Sequence, residues 1–383
     1  MLTKELIPAI VPAPGELLAD ELEARGWTQR DFAQIVAMPY QAVNEIVNAK
    51  KEITPQTALK FAEALGTSAE LWLGLEQDYR LFLARARRST LDSTVTRRSR
   101  LYELAPVGEM QKRGWLRTTS DLDKLEREVC AFLGLNSVAD TPRFEGANFR
   151  QSGAWTAETA TQIAWLKRVE QLARAQHLPV FNHKKLEAAI PKILELTSSL
   201  EGVLEIPSLL QKLGIHFVIV PSLPHCHVDG AAFYLEDRPV VALSLRHAQL
   251  DRFWFTLLHE IAHVVRKHPG VICDLLYGDT TSTPNAELAV YEDEANADAR
   301  AWLLPEAKVK TFAGRIAPYF SRVAVEEFAA RVGRHPSIVV GRLQKEYKLG
   351  WNKLTALQPK VRDLLEPWID RAESVKVDLE LQD

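Results

Sequence analysis

The residues of this chain best suited to chemistry are two histidines four positions apart, with a glutamate beside the first: His259-Glu260-Ile261-Ala262-His263. On a helix, positions four apart differ by only ~40° in azimuth, so both imidazoles face one side at a separation one ion can bridge. Zinc suits such a pair, and it lowers the pKa of a bound water to ~7. Glu260 would not bind the metal but would take a proton from that water. The chemistry expected is zinc-dependent hydrolysis, of peptide bonds before other kinds. Phe253-Trp254-Phe255-Thr256-Leu257-Leu258 precedes the motif and Val264-Val265 follows it. A helix this apolar is buried, and buried histidines need partners. The plain alternative is a pair of hydrogen-bonded core histidines.

A catalytic zinc takes three protein ligands and leaves a fourth position to water. His268 is the nearest further histidine, but on a continued helix it lies ~180° from His259. The position six residues beyond His263, where a longer pattern has a third histidine, is Pro269, and Arg266 replaces the glycine of that pattern. A carboxylate from a second helix is expected instead. Glu292-Asp293-Glu294-Ala295-Asn296-Ala297-Asp298 opens such a helix. Glu292, Ala295, Asn296 and Ala299 share a face that is small apart from its polar groups, so it can approach the histidine helix closely. Glu294 and Asp298 share a different face and repel each other at i,i+4, which marks a solvated side. Glu292 is the preferred third ligand, with Glu294 as competitor and an ordinary acid-rich helix N-terminus as the plain reading. Asn296 is placed behind the ligands as a donor.

Positioning these groups calls for a mixed architecture. Ile215–Val220, Ala231–Leu235 and Val240–Leu243 read as three short strands, expected to be antiparallel, with a turn at Glu236-Asp237-Arg238-Pro239. An apolar helix over 248–268 follows, then another over 287–303. Helices are expected near 119–134, 155–176 and 183–200, again over 319–347, and the tail from 355 is amphipathic. An edge strand of the sheet could pair with an extended peptide. His225-Cys226-His227 lies between the first two strands and reads as an ordinary loop before it reads as a second metal site or a thiol that reaches the zinc.

Residues 14–83 have another character. Pro14 opens a helix that Gly26 ends, Thr28 caps a second, and Met38-Pro39 precedes a third. Thr54-Pro55 reads as N-cap and N1 of a fourth that ends at Gly66, and Ser68 starts a fifth. Short helices with three-residue turns are the spacing of a helix-turn-helix domain. The expected layout is α+β and mostly helical. Residues 1–83 form an all-α helix-turn-helix domain, and 84–117 a basic linker or exposed helix end. Residues 118–310 form a helical segment and a zincin-like peptidase domain with a small antiparallel sheet, and 311–383 a C-terminal helical region.

The totals agree with a protein of the cytoplasm. Of 383 residues, 46% are hydrophobic and 25% charged, and 47 Lys+Arg nearly balance 50 Asp+Glu, so net charge points neither to nucleic acid nor to a membrane. Cys130, Cys226 and Cys273 cannot all pair within one chain, which fits a reducing compartment. No apolar run approaches the ~18–20 residues of a membrane span, and the first residues lack the apolar stretch of a signal peptide.

Asp251 through His263, with Glu292-Asp293-Glu294-Ala295-Asn296 and Leu303-Leu304-Pro305, resembles the ImmA/IrrE family of metallopeptidases. The resemblance implies that His259, His263 and Glu292 bind Zn2+, that Glu260 is the catalytic base, and that the substrate is a regulatory protein such as a repressor. Where that family often has Phe two residues after the Asn, this chain has Asp298. His335-Pro336-Ser337-Ile338-Val339-Val340-Gly341-Arg342-Leu343-Gln344 is similar to a recurring C-terminal segment of the larger relatives, for which a structural role is the default.

Thr28-Gln29, Ala33, Met38, Val43 and Ile46 resemble an XRE-type helix-turn-helix. Ile53-Thr54-Pro55, Ala58-Leu59, Ala64-Leu65-Gly66-Thr67-Ser68 and Leu71-Trp72-Leu73 resemble HigA antitoxins. That likeness implies a recognition helix over 39–45. Tyr40, Gln41 and Asn44 would then reach base edges, and Gln29, Lys50 and Lys51 would contact phosphates of operator DNA. A palindromic site implies a homodimer. Against this, residues 1–83 hold seven Lys/Arg and twelve Asp/Glu, Glu45 sits in the recognition helix, and Pro39 takes the place of a polar cap. Two functions follow: a zinc endopeptidase with a DNA-binding regulatory module, or a HigA-like antitoxin and autorepressor with a cognate toxin as partner and little proteolytic turnover.

Overall fold

The computed structural model describes residues 11–86, 91–142, 144, 156–269, 272–273, 286–347 and 349–371. The chain falls into two compact units, residues 1–97 and 98–383.

In the first unit, helices α1 (Pro14–Arg25), α2 (Gln29–Ile35), α3 (Tyr40–Val47), α4 (Pro55–Leu65) and α5 (Ala69–Ala86) follow one another through short turns. Their ends are set by local chemistry. Thr28 accepts from the Asp31 backbone N–H, and the Asp31 carboxylate accepts from that of Thr28. Gly26 and Gly66 terminate α1 and α4 in the left-handed conformation, as the sequence leads one to expect. Phe32, Phe61 and Trp72 form the centre of the core, with Phe61 lying 5.1 Å from the Phe32 ring and 5.4 Å from the Trp72 ring. Burying each contributes roughly 1.5–3 kcal/mol. Ala42, Val43 and Ile46 hold α3 to that core and leave its opposite face outward.

The stretch expected as a basic linker is largely helical. α6 spans Leu91–Leu104 and α7 Val107–Lys112. The arginine run hides an apolar set: Leu101, Leu104, Val107, Met110 and Trp115 are buried in the core of the second unit. The Arg98 and Arg100 guanidiniums donate to the carbonyls of Ser120 and Val138. Arg87 and Arg88 lie outside the described residues.

The second unit is a three-layer arrangement around one sheet. Strands β1 (His216–Ile219), β2 (Gly230–Leu235), β3 (Arg238–Leu243) and β4 (Ile272–Cys273) lie in the order β1-β3-β2-β4. Alternate side chains point to opposite faces. Val218, Val220, Ala231, Phe233, Val240 and Ala242 pack on helices α6 and α7, with α8 (Leu122–Leu133) and α9 (Ala157–Arg174). Phe217, Ile219, Ala232, Val241 and Leu243 pack on the other layer. That layer contains α10 (His183–Leu196), α11 (Ile206–Lys212), α12 (Leu250–Arg266), α13 (Ala286–Leu303), α14 (Glu306–Ile316), α15 (Arg322–Val332), α16 (Pro336–Glu346) and α17 (Arg362–Leu365).

The antiparallel expectation holds for β2 with β3 and for β2 with β4, but β1 runs parallel to β3. The ten-residue loop 220–229 lets β2 skip a position, and the tight turn at 236–237 brings β3 back into the gap. The single helical pattern expected over 319–347 is broken by Gly333 in the left-handed region, after which His335 caps α16. The tail is tied back to the sheet. Asp370 donates its N–H to Ile219, and its buried carboxylate takes a forked pair from Arg168 and the Trp115 indole N–H. Among the described residues no helix is long and apolar enough to cross a membrane.

Candidate metal centre and recognition surface

α12 runs through the middle of its layer, and twelve of its residues are buried. His259, Glu260 and His263 are 3%, 0% and 2% exposed. α13 packs against it through Ala295 and Ala299, both fully buried, so nothing bulky separates the backbones. That close approach delivers Glu292, itself 1% exposed, to the two imidazoles. Glu292 Oε2 lies 3.0 Å from His259 Nε2, Glu292 Oε1 lies 3.8 Å from His263 Nε2, and the two Nε2 atoms are 3.0 Å apart.

These residues fit a metal ion. Neither Glu292 oxygen has a hydrogen-bond partner, although both are buried. An uncompensated carboxylate there would cost several kcal/mol, roughly the penalty for burying a charge without a partner. A tetrahedral ion with bonds of ~2.0–2.1 Å needs donors about 3.3 Å apart, and the three separations bracket that value. Burial, with repulsion from His259 and His268 adding to it, pushes His263 down to about 2, so its ring stays in the neutral, metal-binding form.

Glu260 sits on the strand side of α12. A Cβ at Gly230, the first residue of β2, would come within 2.5 Å of Glu260 Oε1 and 2.8 Å of the Thr256 methyl. Only glycine lets the carboxylate lie against the strand. Nothing in the sequence beyond an Asp-Gly pair ahead of a strand signals this.

Two expectations are corrected. First, α12 does not continue to His268. It ends at Arg266, and Lys267 adopts a left-handed φ of 57° that folds His268 back beneath the motif. His268 stays outside the converging triad, but its Nδ1 is 2.8 Å from His263 Nδ1. Second, Glu294 neither joins the triad nor faces solvent alone. It lies 3.0 Å from His268 Nε2 and 3.2 Å from Arg266, and Arg266 also holds Asp298. Asn296, expected as a donor behind the ligands, is half-buried. One turn along α13, it lines a cavity of about 240 Å³ with Asp251, Phe255, Arg300, Ile338 and Arg342.

The Cys226 thiol cannot reach the triad. It is buried on the other face of the sheet, and desolvation pushes it up to about 11. The C-terminal segment 335–344 forms the start and body of α16, which braces the first turn of α12. A Cβ at Gly341 would lie 2.4 Å from Asp251 Oδ2. Cys273 lies on β4, opposite Ala231 of β2.

On the first unit, Tyr40, Gln41, Lys50 and Lys51 are exposed, and Gln29 and Asn44 half-buried. Several of these polar groups already hold one another. Asn44 donates its amide to Gln29 at 3.0 Å, and Gln41 donates to Glu45 at 3.1 Å. The Arg30 guanidinium lies 5.5 Å from the centroid of the Tyr40 ring. Arg30 is an exposed cation beside α3 that the spacing of polar residues within that helix did not bring forward. Pro39 caps α3 without a side-chain hydrogen bond.

Residues 18–72 match the helix-turn-helix family and residues 211–343 match the IrrE N-terminal-like domain of the M78 peptidases. Over 93 residues the chain is 31% identical to Virulence-associated protein I of Dichelobacter nodosus, covering 24% of this chain and 84% of that protein. Over 70 residues it is 28% identical to the uncharacterized HTH-type transcriptional regulator YddM of Escherichia coli (strain K12), covering 18% of this chain and 74% of YddM. Among solved structures, an addiction module antidote protein of a HigA family from Coxiella burnetii is 35% identical, with a TM-score of 0.20, 20% of this chain covered and 85% of that one. The chain thus belongs to the XRE-type helix-turn-helix family through its N-terminal unit and carries an IrrE-like M78 peptidase domain behind it.

Proposed function

We propose that this protein is a cytoplasmic zinc endopeptidase joined to a DNA-binding module, and that it cleaves a regulatory protein. The observation that carries the reading is the convergence of His259, His263 and Glu292, three buried donor groups on two packed helices, with Glu260 buried beside them. A zinc ion held by those three would supply a Lewis acid and an activated water. His259 and His263 offer Nε2, and Glu292 offers an otherwise unsatisfied carboxylate. Glu260 takes a proton from the attacking water at its carboxylate and returns it to the departing amine nitrogen. Gly230 keeps that carboxylate in place by leaving the space a side chain would fill. The cavity between α12, α13 and α16 opens one helical turn from His259 and Glu292 and offers room for a substrate side chain.

In the first unit, Tyr40, Gln41 and Asn44 present the outward face of α3 to the major groove, while Gln29, Lys50 and Lys51 meet phosphates. The operator is palindromic and the protein binds it as a homodimer. Metal content tests the central claim without a known substrate. Purified protein should hold zinc at an equimolar level and His259→Ala should hold essentially none. Equal zinc content in the two would sink the assignment.

A further inference from the structure

The chain Glu294–His268–His263 has a direction, and it ends on a metal-binding atom. Glu294 Oε2 lies 3.0 Å from His268 Nε2, and His268 Nδ1 lies 2.8 Å from His263 Nδ1. An ionised carboxylate can only accept, so His268 donates from Nε2. The His268 Nδ1 of the neutral ring is then a lone pair and must receive the proton of His263 Nδ1. That leaves His263 Nε2 without a proton, as a metal ligand must be.

We infer that Glu294 and His268 are positioning residues that fix the tautomer of His263 and so prepare Nε2 to bind the metal. Three further features hold the relay. Lys267 takes the left-handed φ that places His268 beneath the motif, a conformation a lysine keeps only where its surroundings demand it. The Tyr291 ring stacks on His268 at 4.6 Å between centroids and 25° between planes, which fixes the orientation of the imidazole. Arg266, 3.2 Å from Glu294, steadies the carboxylate from the other side. Outer groups of this kind orient metal-bound histidines and typically govern affinity 10–100-fold. The inference rests on the zinc reading for its purpose, though not for its geometry.

The discriminating variant is Glu294→Gln, which keeps shape and volume but adds an amide that can donate. His268 can then reverse, donate from Nδ1, and drive the His263 proton onto Nε2. The test uses the full chain. Nitrogen NMR of the histidine rings in zinc-free protein reports the tautomer, and chelator competition reports zinc affinity. Wild type should show His263 protonated at Nδ1. Glu294→Gln should shift it toward the Nε2-protonated form and weaken zinc binding about 10–100-fold. Asp293→Asn, the same kind of charge change at an exposed position beside Glu294, should leave both readings as in wild type. A Glu294→Gln protein with unchanged tautomer and affinity would overturn the relay, as would a wild-type His263 protonated at Nε2. If wild type shows the Nδ1 tautomer yet binds no zinc, the relay stands and the zinc reading falls.

Discussion

Within the second unit, His259, Glu260, His263 and Glu292 are each at most 3% exposed, while in the first unit Tyr40, Gln41, Lys50 and Lys51 stand in solvent. The contrast extends to their partners. The buried groups converge with Glu292 left unsatisfied by protein, so they describe what must come to them. On the first unit, Asn44 is held by Gln29 and Gln41 by Glu45, so that surface is complete without a ligand. A buried site pays a desolvation cost that only its ligand can offset, and its chemistry is therefore written into the fold. An exposed reading surface costs nothing when idle, and its specificity appears only against DNA.

The sharpest way to break this contrast is to remove a buried donor. His259→Ala should lower zinc affinity by more than ~100-fold, since even changes outside the ligand set typically cost 10–100-fold. Metal analysis of the dialysed protein reads this, and operator binding measured by gel shift should stay unchanged. A His259→Ala protein that lost operator binding as well, while remaining folded by circular dichroism, would show that the two regions are not separable.

Next in size are two changes around the base. Glu260→Gln should retain zinc and lose cleavage by a factor on the order of 10²–10⁴, the range for removing a general base. Gly230→Ala should also retain zinc, but its Cβ would come within 2.5 Å of Glu260 Oε1 and displace the carboxylate. A displacement near 1 Å costs about 10²-fold in rate. Both are read by cleavage assay beside metal content. Full activity in Gly230→Ala would mean that Glu260 does not work from the position the strand gives it.

How far the sequence anticipated these positions depends on the range of the interactions that set them. Glu292 was legible because helix azimuth and a small-residue face are local properties, and Ala295 and Ala299 do pack fully buried against α12. The place of His268 beneath the motif is not legible in the sequence, because the turn at Lys267 carries no glycine to announce it. The parallel pairing of β1 with β3 depends on where a ten-residue loop sends β2, which no local pattern encodes. The arginines around α6 suggested solvated linker, yet Leu101, Leu104 and Met110 at helical spacing carry that segment into the core. In the first unit the capping residues Thr28 and Thr54 and the stops at Gly26 and Gly66 were readable because each acts within one turn.

On the exposed side the effects should be smaller and should couple. Asn44→Ala should cost ~1–3 kcal/mol of discrimination between operator and a mismatched site, the value of one bidentate base contact. Because Asn44 donates to Gln29, Gln29→Ala should cost part of the same energy, and the double variant less than the sum. Binding titrations on matched and mismatched duplexes measure the cycle. Strict additivity would mean the amide pair does not act as a unit on DNA.

The smallest effect should come from Lys50→Ala and Lys51→Ala, and it should differ in kind. Both lysines are exposed in the turn that follows α3. If each meets a phosphate, each substitution removes one released counterion and reduces the slope of log K against log salt by about 0.9. The ratio of specific to non-specific affinity should stay fixed, because phosphates carry no sequence. Residues 1–83 hold seven Lys/Arg against twelve Asp/Glu, so there are few other cations to compensate and the change in slope should be visible above the background. An unchanged slope in the double variant would remove this turn from the interface and leave Arg30, beside Tyr40, as the cation through which α3 approaches the backbone.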